Sequence, residues 1–307
     1  HPIFREHELN SPGPRGYRKR LSPSIQWHTE LLFNEQTKTF TRNVDRAVTR
    51  LNLSSSTSPS QEGSQGPQDA RIVPLSSGQQ LLWFNANSRW LPSRVTQQFH
   101  VVNLEKFSNS PPEFQDPQSC GGEMNLSSVV EVKLSKQVYE KNFVAFEHEN
   151  QTFFAYSIEP HEIYHLDMES GDAAHIATTS NKLLQEAISH TDIWLHGGSS
   201  AIKVKRNGEE EFLSVCHVKQ PDTEIYTTFA YTFSSNPPFH ILSWSSKLPL
   251  VGRIQMAMSL VLLDDKLIVS YGRDDKEMRV AAFPMNEFLM SLQDISEFLS
   301  PFPPSVP

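Results

Sequence analysis

The chain has 307 residues, 37% hydrophobic and 20% charged, enough to bury the core of one large domain. A formal net charge of -8 excludes the broad basic surface that nucleic acid or anionic membrane would need. No stretch approaches the ~18–20 apolar residues of a membrane-spanning helix, so no membrane span is expected.

Taken in chain order, the first charged run, Arg18-Lys19-Arg20, reads as a solvated turn. Ile25–Phe33 opens a first group of strands. Ser54–Gln68 is nearly all Ser, Gln, Gly, Pro and Thr, too polar to offset the entropy of ordering. Arg71–Leu75, Gln80–Asn85 and Val95–Leu104 form a second group, followed by a Pro-rich surface loop over Phe107–Gly122. Val129–Leu134, Phe143–His148, Thr152–Ile158 and Glu162–Leu166 give four strands in succession. Ala201–Lys205, Glu211–Lys219, Glu224–Phe233 and His240–Trp244 give the next group, and Met256–Leu263, Lys266–Tyr271 and Glu277–Phe283 the last.

These segments are rich in Val, Ile, Phe, Tyr and Thr and are broken by Asn-Gly, Asp-Asp and Pro-Pro turns. Roughly four strands in each of about five groups predicts an all-β, five-bladed β-propeller over residues 18–283; a β-sandwich is the competing fold. Phe288, Leu289, Leu292, Ile295 and Leu299 recur at helical spacing behind Asn286, a plausible N-cap. They predict one C-terminal amphipathic helix within residues 284–307, packed on the outside of the propeller.

The chemistry-bearing motifs sit at strand ends. Four familiar sites are missing, with no Gly-rich phosphate loop, His-Glu-x-x-His, Cys-x-x-Cys or Gly-x-Ser-x-Gly. His196-Gly-Gly-Ser reads either as an anion nest of converging backbone N–H groups or as a tight turn between blades, with the turn favoured. Asp274 and Asp275 follow Tyr271-Gly272 at a strand end, where a carboxylate could act as base or hold a sugar hydroxyl. A plain hairpin turn is the bland reading, and for Asp264-Asp265 the better one. His217 falls inside a strand, where a core histidine is the commoner case, and Lys141 just before one.

Cys120 and Cys216 are too few for a disulfide framework. Sequons at Asn52, Asn125 and Asn150 point toward the secretory lumen and require exposed loops there; a cytoplasmic protein is the alternative. The chain opens on His1 with no visible signal peptide, as a processed chain or a fragment does.

In order along the chain, Glu140-Lys-Asn-Phe-Val-Ala-Phe, Tyr156-Ser-Ile-Glu-Pro-His, His196-Gly-Gly-Ser, Phe212-Leu-Ser-Val-Cys-His and Ser270-Tyr-Gly-Arg-Asp-Asp resemble five-bladed propellers related to glycoside hydrolase family 130. That family holds β-mannoside phosphorylases and hydrolases, and glycosyltransferase family 108 shares its fold. The resemblance runs from about Arg18 to Phe283. By that resemblance Gln68-Asp69-Ala70-Arg71 matches the early Glu-Asp-Pro-Arg motif, keeping Asp69 as the acid and Arg71 beside it while losing the Glu and the Pro. Lys141-Asn142-Phe143 stands for Lys-Asn-Trp, His217 for a phosphate-binding strand histidine, and Asp275 of Tyr271-Gly272-Arg273-Asp274-Asp275 for the second carboxylate.

What the resemblance implies is a carbohydrate substrate, with water, inorganic phosphate or a sugar nucleotide as the second reactant. This glycosidic-bond chemistry needs neither metal nor organic cofactor, and none is expected. Asp69 and Asp275 would be catalytic, and Arg71, Lys141, His161, His196, His217, Tyr271, Arg273 and Asp274 would bind sugar or phosphate. An inverting displacement needs its carboxyl groups about 6.5–9.5 Å apart to admit the attacking molecule. The altered positions Gln68, Ala70 and Phe143 leave open a propeller that binds a glycan without turning it over.

Overall fold

The computed structural model describes residues 3–6, 25–28, 31–34, 39–42, 49–52, 68–87, 95–102, 123–125, 130–134, 142–189, 194–219, 225–274 and 276–297. Strands dominate, helices are few, and none of the described helices is long and apolar enough to cross a membrane. The chain divides into two compact units, residues 1–141 with 169–171, and residues 142–168 with 172–307.

In the first unit, β1 (Ile3–Glu6), β2 (Ile25–His28), β3 (Leu31–Asn34), β4 (Thr39–Arg42) and β5 (Thr49–Asn52) precede β6 (Gln68–Pro74), β7 (Gln80–Asn87) and β8 (Val95–Val102). Two short strands close the unit, β9 (Glu123–Asn125) and β10 (Val130–Glu131). One sheet has the order β1-β2-β5-β9, a second β10-β8-β7-β6, and β3 and β4 form a hairpin. The pairing of β5 with β9 is parallel and sets the backbones of Asn52 and Asn125 opposite each other at the last described residue of each strand. Asn150 does sit in an exposed hairpin turn. Most of the polar excursion 54–68 and of the Pro-rich loop 107–122 lies outside the described residues.

The second unit opens with the four-stranded sheet β11 (Val144–His148), β12 (Gln151–Ser157), β13 (His161–Leu166) and β14 (Ala173–Thr179). This sheet differs from the sequence grouping at both ends. The segment around Val130 pairs with β8 of the first unit, and the fourth strand is β14, whose mostly exposed Ala-Ala-His-Ile-Ala-Thr-Thr has no apolar stripe to announce it.

Helix α1 (Lys182–Ser189) follows, also unanticipated, although Leu183, Leu184, Ala187 and Ile188 carry helical spacing. Asn181 caps it, its Oδ1 accepting the Leu184 N–H at 3.1 Å. Next come β15 (Trp194–Gly197), β16 (Ile202–Arg206), β17 (Glu209–Lys219), β18 (Tyr226–Ser234) and β19 (Ile241–Trp244), then β20 (Gln255–Leu263), β21 (Lys266–Arg273) and β22 (Glu277–Pro284). Both β15 and β16 pair along the long strand β17, and β20-β21-β22 is a separate sheet.

β17 shows how sequence becomes core. Phe212, Cys216 and Val218 enter one apolar cluster with Phe146, Ile163, Leu184, Tyr231 and Trp244. The alternate residues Leu213 and Val215 enter a second cluster with Ala230, Val269, Phe288 and Leu289. A strand covered on both faces reads as a continuous apolar run, and the period of two then divides it between two cores. Phe146 anchors the first core, its ring 4.7 Å from Phe212, 5.2 Å from Phe233 and 5.4 Å from Phe239.

The C-terminal prediction is corrected in form. The helix α2 spans only Met285–Met290, its N-cap is Pro284, and Asn286 lies inside it. The Ser291 Oγ bonds back to the Phe288 carbonyl at 2.7 Å, and the chain then adds a two-residue strand, β23 (Gln293–Asp294), to the edge of β19. A sheet edge offers the backbone partners that a longer helix would have supplied internally. Phe288, Leu289, Leu292 and Ile295 are buried as the spacing requires, but the first two lie in the helix, Leu292 follows it, and Ile295 opens a single 3₁₀ turn after the exposed strand β23.

Candidate functional site

The corner after β21 is built around Asp274. It adopts a left-handed conformation, φ 54°, which Asp tolerates better than most residues. Its Oδ1 accepts the N–H groups of Arg253 at 2.7 Å and Ile254 at 2.9 Å, while its own N–H donates to the Ile254 carbonyl at 2.9 Å. The Ile254 N–H first, then that of Arg253, hold this carboxyl below its ordinary pKa, and the Arg273 guanidinium, 3.5 Å from Oδ2, adds to the effect. Gly252 has φ 128°, and a Cβ there would come within 2.8 Å of Arg273 Cγ. Arg253, Ile254, Arg273, Asp274, Lys276 and Glu277 line a polar concavity of about 440 Å³. Tyr271 stands behind it, buried, with its hydroxyl accepting the Val251 N–H at 3.4 Å. Tyr271 and Asp274 therefore shape the 251–254 loop, and Arg273 faces the concavity. Asp275, the expected second carboxylate, and Lys141 lie outside the described residues.

A second group of motif residues converges on the same loop. His196 on β15 pairs in register with His217 on β17, and their ring centroids are 5.3 Å apart. His217, buried, is 5.5 Å from the ring of Tyr226 on β18. The Tyr226 N–H donates to the Arg253 carbonyl at 2.9 Å, and the Thr228 hydroxyl to the Gln255 carbonyl at 3.1 Å. His196, His217 and the Asp274 corner, distant in sequence, are thus joined through Tyr226 and Arg253. Neither of those two stands in a motif, and their only signal is register: Tyr226 begins a strand opposite Lys219.

The glycines after His196 serve packing. The N–H groups of Gly198 and Ser199 both donate to the Val215 carbonyl, at 2.9 and 3.2 Å, so they do not form an anion nest. A Cβ on Gly197 would overlap the Asn142 carbonyl and lie 2.6 Å from Val144 Cγ2. Asn142 and Phe143 of the Lys-Asn-Phe segment are accordingly buried neighbours of this crossing.

His161 is a core residue. It is 1% exposed, its Nδ1–H donates to the Phe239 carbonyl at 2.7 Å, and its ring meets Phe233 edge-on at 5.1 Å. Desolvation, the largest influence, pulls its pKa down to about 4. A sugar cannot reach it there, so the expected ligand role for His161 is replaced by a structural one.

Asp69 and Arg71 belong to the first unit. Gln68 pairs with Asn85 and Arg71 with Trp83, so Asp69 and Ala70 stand opposite the single residue Phe84. This is a β-bulge, a device that re-aims a side chain. Asp69 has φ 54°, is partly exposed, and its Oδ2 accepts from Asn85 Nδ2 at 2.8 Å. Arg71 is 2% exposed. Among the described residues no group of three or more His, Cys, Asp or Glu is placed to hold a metal ion.

No protein-family model and no curated protein matches this chain significantly. Solved structures do. A member of the glycoside hydrolase family 130 of mannoside phosphorylases, described with hydrolases that target β-1,2 mannosidic linkages in Candida mannan, superposes with a TM-score of 0.53 at 11% identity, covering 88% of this chain and 78% of that one. A putative glycoside hydrolase from Parabacteroides distasonis gives 0.52 at 12% identity over 85% and 77%. A glycosyl hydrolase from Bacteroides ovatus gives 0.52 at 13% over 88% and 78%. The likeness is one of fold: a mostly β chain with few helices, similar to the propellers of glycoside hydrolases.

Proposed function

We propose that this protein is a carbohydrate-active enzyme that cleaves a mannosidic or similar glycosidic bond, with water or inorganic phosphate as acceptor, on a five-bladed propeller. The observation that carries the reading is Asp69, a non-glycine residue in left-handed conformation on a β-bulge, held by Asn85. Such backbone costs about 1–3 kcal/mol and clusters where a side chain must be aimed for function. In this reading Asp69 protonates the leaving oxygen. His196, Tyr226 and Arg253, which are not buried and are backed by the buried His217, support a binding surface for the sugar or the phosphate. The blade count rests on five sheets of three to six strands among the described residues.

The test is turnover of β-mannosides by wild type and Asp69→Asn, each with and without phosphate, and a parallel incubation with GDP-mannose and acceptor. Asparagine is isosteric and also tolerates positive φ, so the fold should persist. Loss of a general acid lowers the rate about 10²–10⁴-fold. Full activity in Asp69→Asn overturns the assignment; glycan binding with no turnover by wild type shows a propeller that has lost catalysis; product only from GDP-mannose shows a transferase.

A further inference from the structure

Two rows of side chains cross three neighbouring strands on one face of the second unit. Register sets Trp194 of β15 against Lys219 of β17, and Lys219 against Tyr226 of β18. Two residues along each strand, on the same face, the next row reads His196, His217 and Thr228. The Lys219 ammonium lies 5.4 Å from the centre of the Trp194 ring and 5.7 Å from that of Tyr226, so one cation is shared by two aromatic faces. His196 meets Trp194 edge-on at 6.4 Å and tilts against His217 at 5.3 Å. Trp194 is nevertheless 58% exposed, among the most exposed of the large apolar residues described.

That combination is not what packing produces. A tryptophan recruited for stability is covered, because its area is its contribution. Here its ring is oriented by a lysine and a histidine and still open to solvent. In the second row beneath it His196 is half-buried while His217 and Thr228 are buried behind it, and the Tyr226 backbone ties the array to the Arg253–Asp274 corner. An oriented, open indole beside a cation and the half-buried His196 imidazole suits a ring with one apolar C–H face and a rim of hydroxyls.

We infer that Trp194, Lys219 and Tyr226 form a stacking subsite for a pyranose ring, lying over the His196–His217 pair. The inference rests on the carbohydrate reading above and adds the part of the surface that holds a sugar. The indole stacks on the C–H face, and the Lys219 ammonium donates to ring hydroxyls while it keeps the two aromatic planes apart.

The experiment is a titration of the whole chain with β-mannobiose, followed by calorimetry and by tryptophan emission. Wild type should bind with a blue shift of emission as the exposed indole is covered. Trp194→Ala should bind about tenfold more weakly or worse, the size expected of an aromatic anchor. Trp194→Phe should recover most of the affinity without the blue shift, and Lys219→Met should lose affinity while leaving the far-ultraviolet circular dichroism unchanged. Wild-type binding that is equal in Trp194→Ala overturns the subsite and leaves the enzyme reading standing. Wild type that neither binds nor turns over a mannoside overturns both.

Discussion

His161 donates its Nδ1–H to the carbonyl of Phe239 at 2.7 Å, in a core where its ring is 1% exposed. The two residues join strand β13 to the turn before β19 and make one acid-sensitive contact of the core. Burial lowers the folded-state pKa from 6.5 to about 4, with His240 as a smaller contributor and the Phe239 bond opposing. Above pH 6.5 the ring is neutral in folded and unfolded chains alike, so pH has no leverage through it. As pH falls from 6.5 toward 4 the unfolded chain gains a proton that the folded one refuses, and stability declines. At ~1.4 kcal/mol for each pH unit the loss reaches about 3 kcal/mol, and it stops growing below pH 4. Urea unfolding across this window should show the slope, and His161→Gln, which still donates to the carbonyl, should flatten it.

The Gly197 crossing predicts a steric failure. Gly197→Ala drives a methyl into the Asn142 carbonyl and Val144, and Gly198→Ala brings one within 2.7 Å of the Val215 carbonyl. Because backbone must move in both cases, each should cost about 1–3 kcal/mol or more. Denaturation midpoints measure it; an unchanged midpoint in Gly197→Ala removes the packing explanation for this motif.

Arg206 holds the C-terminal segment. It pairs with Glu211 at 3.5 Å and donates to the carbonyls of Leu289 at 3.4 Å and Leu292 at 3.2 Å, with both charged side chains nearly buried. Arg206→Ala leaves the nearly buried Glu211 side chain without this ion pair, a change that costs about 3–5 kcal/mol. Joint replacement, Arg206→Met with Glu211→Leu, should recover most of that. Hydrogen exchange over residues 285–297 should rise in the single variant and fall back in the double.

Asp274 and Asp275 are adjacent and should behave oppositely. Asp274 accepts the backbone of Arg253 and Ile254, and an asparagine oxygen can do the same, so Asp274→Asn should keep most turnover. The depressed Asp274 carboxyl contributes stability above its unfolded pKa and loses it as pH falls through the folded one. Asp275→Asn should abolish turnover if it is the second carboxylate. Mannoside assays on both variants separate a loop clamp from a reacting group.

The sequence by itself determined the all-β character of this chain, because alternation and turn residues are local. It also determined the burial of Phe212–Val218 and of Phe288, Leu289, Leu292 and Ile295, because apolar spacing reports which side chains leave water. The form of the C-terminal segment was not legible: one long helix, or a short helix and a 3₁₀ turn around an edge strand, can bury the same four residues, and the pairing of β23 with β19 is a tertiary relation. The outer strand β14 was invisible for the opposite reason, having little apolar content to betray it. Motif residues were readable one at a time, but their roles were not. His161 and His217 look alike in sequence and are both buried, yet one bonds to the Phe239 carbonyl and the other packs behind His196 and Tyr226. Tyr226, Arg253, Lys219 and the exposed Trp194 came into one surface only through strand register, a relation between segments far apart in the chain that no local spacing encodes.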